Sequence, residues 1–303
     1  MSCDLGTLIH DHFNMLMDIF GKDLKDLGVE SVYTKCLYTS VTILYILCGN
    51  KAIEGSLKCY VNNVKKRMEN LSNIDIQNSI QKDASQAMKR ILLNDRRRMV
   101  YFLMITNAEL PHANNKDKKE AFFPGHVFVI DKLFYANETV PKYKLYQSYI
   151  NKYTLQDFSE KKKTRQRPND DEKAMDYTYE EMKTFLEKLS NLLNSKTWTN
   201  DNVKFWKEFT HVSAEYMKGY LIQPHIFFCF NELPAIRCRS GLLQLLKDKL
   251  MKNEIPDKYT SIVKRLVRNT KLNNGEQDSK VKKKNDQNNS NNSNVFTNNS
   301  ATK

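Results

Sequence analysis

Apolar residues recur at spacings of three and four through the first turns of the chain. Leu5, Leu8, Ile9, Phe13, Leu16, Met17 and Phe20 fall on one face, which predicts an amphipathic helix over 4–27 with Gly28 as its stop. Residues 36–48 are almost wholly apolar and end at Gly49, the pattern of a buried helix. Two further helical segments follow over 51–70 and 75–94, and Ile76, Ile80, Ala84, Ala87, Met88 and Ile91 share one face of the second. The texture then changes. MVYFLMIT over 99–106 is a short strand-forming run, and 107–121 is a polar loop. HVFVID over 126–131 is a second strand introduced by Pro124-Gly125, and KYKLYQSY over 142–149 alternates as a third. Strands this close in sequence suit an antiparallel meander.

Residues 160–173 read as a charged, Pro-containing loop. Thr178 and Glu181 have capping-box spacing and open a helix over 179–194. A helix over 201–218 carries Phe205, Trp206 and Phe209; HIFFCF over 225–230 is a last strand, and helices near 240–252 and 257–269 close the pattern. From Leu272 the chain is Asn, Ser and Lys with almost no apolar residues, and such a segment cannot bury enough surface to offset its chain entropy. The expectation is one α+β domain over 1–271 and a disordered tail over 272–303.

Composition narrows the function. With 303 residues, 40% of them hydrophobic and 11% aromatic, the chain can bury a substantial core. It has nine glycines and neither GxGxxG nor GxxxxGK[ST], which argues against nucleotide-dependent enzymes of the common kinds; no cofactor is expected. The formal charge of +13 draws polyanions, although a Lys-rich composition that simply keeps the protein soluble is the plainer reading. Arg96-Arg97-Arg98 and the run from Lys161 to Arg167 are the basic clusters, the second of a kind that binds phosphate or serves nuclear import. Weak nucleic-acid binding through these segments is one partner expectation; a polypeptide is the other. Trp198 and Trp206 lack the basic interleaving of a base-stacking platform.

Six cysteines occur, none in CxxC spacing, so neither a zinc ribbon nor a disulfide scaffold is indicated and a reducing compartment, cytoplasmic or nuclear, is expected. The N-terminus carries acids and histidines where a signal peptide needs a basic stretch and an apolar run. The longest apolar stretch, 41–48, is too short to span a bilayer. His10 and His12 do not share a helix face and make a poor metal pair, His211 reads as a packing residue, and His225 has no partner in sequence. Oligomeric state is not legible in the chain.

One constellation carries chemistry. Cys36 heads the most apolar helix, where first-turn amides would lower a thiol pKa. His126 opens a strand after Pro-Gly, where its ring would be rigidly held at a sheet edge yet reachable, as a general base requires. If 126–131 and 142–149 pair antiparallel, the end of the second returns beside the start of the first and brings Gln147 or Ser148 to His126, with Tyr146 and Tyr149 flanking. The plainer readings are a buried core cysteine, a capping histidine and strand polar residues.

A cysteine at a buried helix start, a histidine opening a strand and an amide on the next strand resemble the papain-like thiol peptidases and NlpC/P60-type hydrolases. PGHVFVIDK followed by YKLYQSYINKYTL is similar to papain-fold proteins of bacterial effectors and large DNA viruses, over residues 30–155. The resemblance implies Cys36 as nucleophile, His126 as general base and Gln147 as orienting residue. Papain-like enzymes commonly place a Gln shortly before the cysteine for the oxyanion; here that stretch is Ser31 to Lys35, so Thr34 or backbone amides would serve. The implied activity is hydrolysis of a peptide or isopeptide bond. The alternative is a non-catalytic interaction or virion-associated protein whose basic surface holds nucleic acid or a protein partner.

Overall fold

β-Branched and aromatic residues dominate Met99–Asn107, and that segment forms β1, an interior strand of the protein's main sheet. The structure, a computed structural model, describes residues 5–26, 35–50, 53, 84–107, 120–121, 125–147, 174–210, 213–222 and 226–268. Helices α1 (Leu5–Asp11), α2 (Phe13–Asp26), α3 (Lys35–Cys48) and α4 (84–92) precede or lead into β1. The short β2 (Glu120–Ala121) is followed by β3 (His126–Leu133), β4 (Lys142–Tyr146) and β5 (Ala174–Tyr177). Helices α5 (Tyr179–Asn194) and α6 (Asn200–Thr210), a 3-10 turn (Glu215–Met217), β6 (Leu221–Ile222) and β7 (Ile226–Pro234) come next, then α7 (Arg239–Met251) and α8 (257–268). The fold is α+β. Its main sheet runs β5-β4-β3-β1-β7 with every neighbour antiparallel, and β2 and β6 form a separate parallel pair.

The expected elements fall close to where the pattern put them; β2 lies in the expected loop 107–121, β6 was not expected, and three further differences stand out. The first helix is divided at His12 into α1 and α2. The helix expected over 201–218 stops at Thr210 and resumes as the 3-10 turn. The strand Ala174–Tyr177 was not expected, because four residues carry too little alternation to stand out and only the pairing with β4 reveals it. Thr178 caps α5 as its spacing required: its side chain accepts from the Glu181 amide while the Glu181 carboxylate accepts from the Thr178 amide. Apart from the buried Ile53, the helix expected over 51–70 lies outside the described residues, as do 75–83 of the helix expected over 75–94, residues 108–119 and 160–173, and the tail 272–303.

Strand alternation separates two faces. Tyr101, Leu103, Ile105, Phe128, Ile130, Tyr143 and Leu145 turn to one side and pack with Ile91 of α4, Phe185 and Leu189 of α5, and Trp206 and Phe209 of α6. Phe128, Phe185 and Phe209 meet edge to face with centroids 4.8 to 6.2 Å apart, the geometry that opposed ring edges and faces favour. The opposite face carries α3, which lies across β3 and β1, with α2 beside it.

The C-terminal end of α3 is tied to the strands. Gly49 takes a φ of 83°, the left-handed turn that stops a helix, and donates to Tyr45 O. Ile236 and Arg237 amides both donate to Leu47 O at 3.2 Å. Arg237 lays its guanidinium over the Tyr45 ring at 5.0 Å and donates to Tyr45 O. Beneath this end, Arg98 grips the fully buried Asp131 through Nε at 3.2 Å and Nη2 at 2.7 Å.

The chain divides into two compact units, Met1–Cys238 and Arg239–Lys303. Within the second, α7 ends on Asn253 with φ 57°, and Lys249 Nζ meets Glu254 at 3.1 Å. The boundary at 238 lies well before residue 271, where the sequence reading ends its domain.

Candidate functional site

β3 is the middle strand of five, and His126 is its first residue, paired with Ile105 of β1. The β3–β4 register sets Val129 opposite Tyr146, so Gln147 follows at the level of the first residues of β3. The expected antiparallel pairing therefore holds, and it delivers the expected contact. His126 Nε2 lies 2.6 Å from Gln147 Oε1, and Gln147 Nε2 donates to Phe209 O at 3.1 Å. With the amide nitrogen committed to a carbonyl, Oε1 is the acceptor and the imidazole donates from Nε2.

The surroundings of that pair correct the expectation of a reachable histidine. His126 is 1% exposed and Gln147 is fully buried. The imidazole stacks along Phe128 at 5.7 Å and meets Phe209 edge-on at 5.0 Å and Trp206 at 6.3 Å. The physical reason is topological: a strand in the middle of a sheet has no open side, and α6 covers the face that the ring occupies. Pro124-Gly125 marks the start of the strand without marking an edge.

Tyr146 is a second correction. It was expected beside Gln147, but alternation turns its fully buried side chain to the opposite face. Cys36 belongs to α3, whose body packs on that same opposite face; its side chain, with Thr34 and Ser148, lies outside the described residues. The far end of α3 fixes the assignment of faces. Cys48 there feels the charge of Asp131, whose side chain alternates away from Phe128 and Ile130. The sheet thus brings His126 to Gln147 and turns both side chains away from the face on which α3 packs.

The other singled-out groups are structural or fall outside the description. Trp198 and Trp206 are core residues, their centroids 6.4 Å apart. His10 contacts the adjacent Asp11 at 3.1 Å. His211, His225 and the basic run 161–167 lie outside the described residues. Among the described residues no group of three or more His, Cys, Asp or Glu side chains could hold a metal ion. The arginine triplet is divided in its loyalties: Arg98 binds Asp131, Arg97 reaches Asp95 at 3.0 Å, and Arg96 is exposed.

A feature that sequence reading missed lies where α4 passes β1 and β7. A groove of about 1010 Å³ is lined by Gln86, Lys89, Arg90 and Arg97 along its rim and by Met99, Phe228 and Phe230 below. Phe230 is half-buried and stacks on Tyr101 with planes 15° apart and centroids at 5.9 Å. Arg90 bridges the two walls through Nη2, 2.6 Å from Glu232. No sequence signal joins α4 to a strand some 140 positions later; only pairing of β7 with β1 does so.

No family model, curated protein or solved structure matches the chain. Among the described residues no helix is long and apolar enough to cross a membrane.

Proposed function

We propose that this protein is a non-catalytic interaction module whose basic surface engages an anionic partner in the cytoplasm or nucleus. The supporting observation is the environment of His126. Its imidazole is enclosed by Phe128, Trp206 and Phe209 and held by a buried amide, so its hydrogen bonding serves the core rather than an incoming substrate. The formal charge of +13 supplies the long-range attraction, and the groove along α4 supplies a concave surface with three cations on it.

The test is retention of the intact chain on heparin. Elution should move to much lower retention as salt rises, and Cys36→Ala should elute unchanged. Passage through the resin without retention at low salt sinks the reading.

A thiol hydrolase built from Cys36, His126 and Gln147 is the second reading, favoured by the 2.6 Å His126–Gln147 contact that fixes one imidazole tautomer. It would cleave a peptide or isopeptide bond and needs the thiol to reach the ring past the end of the sheet. Labelling by an electrophilic thiol probe that vanishes in Cys36→Ala and falls sharply in His126→Ala would establish it; an unlabelled folded protein would remove it.

A further inference from the structure

We infer that the groove between α4 and β7 binds single-stranded nucleic acid; the inference rests on the basic-surface reading above and assigns its site and ligand. Three kinds of group converge there. Lys89, Arg90 and Arg97 stand on the rim, with Glu232 as the acid among the lining residues, so the groove carries net positive charge. Lys89 is exposed and Arg97 projects with three-quarters of its side chain in solvent, placing both where a backbone phosphate can reach them. Phe228 and Phe230 are among the lining residues, and the half-buried Phe230 lies nearly parallel to Tyr101. A partly exposed ring is a surface on which a base can stack. Gln86, exposed on α4, adds an amide with both donor and acceptor capacity that can meet the edge of an unpaired base.

Those features choose the occupant. An acidic peptide would be served by the cations alone and would leave the aromatic residues and the Gln86 amide without a task. A duplex would present its phosphates but keep its bases stacked and out of reach. Only a strand with unpaired bases uses the charge, the rings and the amide together. A volume of about 1010 Å³ also exceeds the roughly 300 Å³ at the lower end for small-molecule pockets, so it admits more than a single small group.

Glu232 has a distinctive place in this arrangement. Its carboxylate holds Arg90 across the groove, with Arg90 Nε 2.8 Å and Nη2 2.6 Å away. A phosphate entering the groove competes with that carboxylate for the same guanidinium. Removing the acid frees Arg90 and raises the local charge, so the loss of an intramolecular contact should improve binding.

The experiment is fluorescence anisotropy of a labelled single-stranded 12-mer with the full chain, alongside heparin retention. Lys89→Glu and Arg97→Glu should each weaken binding about tenfold and flatten the salt dependence, since each neutralised phosphate contributes a log–log slope of about −0.7 for single strands. Phe230→Ala should weaken it about fivefold or more and Phe230→Tyr should restore it. Glu232→Gln should tighten it severalfold. Lys183→Glu and Lys207→Glu, exposed on α5 and α6, should change it less than about twofold. Equal weakening by groove and control variants, or weaker binding in Glu232→Gln, overturns the site while leaving the basic-surface reading intact. No oligonucleotide binding with heparin retention preserved overturns the ligand; loss of both overturns the reading beneath it. Equal displacement of the 12-mer by poly-glutamate and by unlabelled strand also overturns the assignment, in favour of an acidic partner.

Discussion

His126 Nε2 and Gln147 Oε1 lie 2.6 Å apart inside an aromatic enclosure, and the same amide reaches on to Phe209 O at 3.1 Å. One side chain thereby joins the middle strand of the sheet to the last turn of α6. Gln147→Leu would leave a buried imidazole and a buried carbonyl without this partner, and should destabilise the protein by about 2–4 kcal/mol. Pairing it with His126→Phe removes the polar demand and should recover part of the loss. Urea denaturation midpoints of the two single variants and the double variant decide this; equal and additive losses would contradict the role.

Arg98 and Asp131 form another buried polar link, on the α3 side. Asp131 is fully buried and receives two bonds from one guanidinium. Arg98→Met strands the carboxylate and should cost about 3–5 kcal/mol. Arg98→Met with Asp131→Leu should be markedly more stable than the single variant, because no charge remains to be solvated. A thermal melt of both variants measures the difference.

The bond from Lys132 to Asp95, 2.7 Å long and made by a fully buried ammonium, holds the Asp95 carboxyl below the usual carboxylate range, with Arg97 adding to the effect. A depressed folded-state pKa gives stability that is present above the unfolded value, about 3.9, and lost as pH falls through the folded value. Asp95→Asn also leaves the buried Lys132 ammonium without its carboxylate, so it should be less stable than wild type at pH 7, and the gap should narrow below about pH 4. Denaturation series at pH 7 and pH 3 test the sign; a gap that widens in acid refutes it.

Cysteine reactivity should be sharply graded. Burial, followed by the negative charge of Asp131, pushes the Cys48 thiol up to about 12, whereas Cys238 is exposed. Only the thiolate reacts readily. At pH 8 a maleimide should modify Cys238 within minutes and spare Cys48 until denaturant is added. Peptide mapping by mass spectrometry reads both sites, and early modification of Cys48 would show that the α3 end opens in the native state.

Much of the architecture was legible because it is local. The 3.6-residue period marked the helices, alternation and β-branched runs marked β1, β3 and β4, and Thr178 with Glu181 announced the start of α5. The pairing of 126–131 with 142–149 followed from their short separation, and with it the meeting of His126 and Gln147. The strand Ala174–Tyr177 was hidden, since four residues carry too few alternations to stand out from a charged neighbourhood.

What the sequence determined by itself is most of the longer elements, their class and the local partners; what only the tertiary structure decided is which side of the sheet each side chain sees. A strand specifies two faces without saying which helix will cover each, so nothing near His126 foretold that α6 would enclose it while α3 took the other face. The same non-local choice laid β7 against β1 and created a basic groove from residues far apart in the chain. Burial is a property of what packs from elsewhere, and that is why it could not be read from the residues alone.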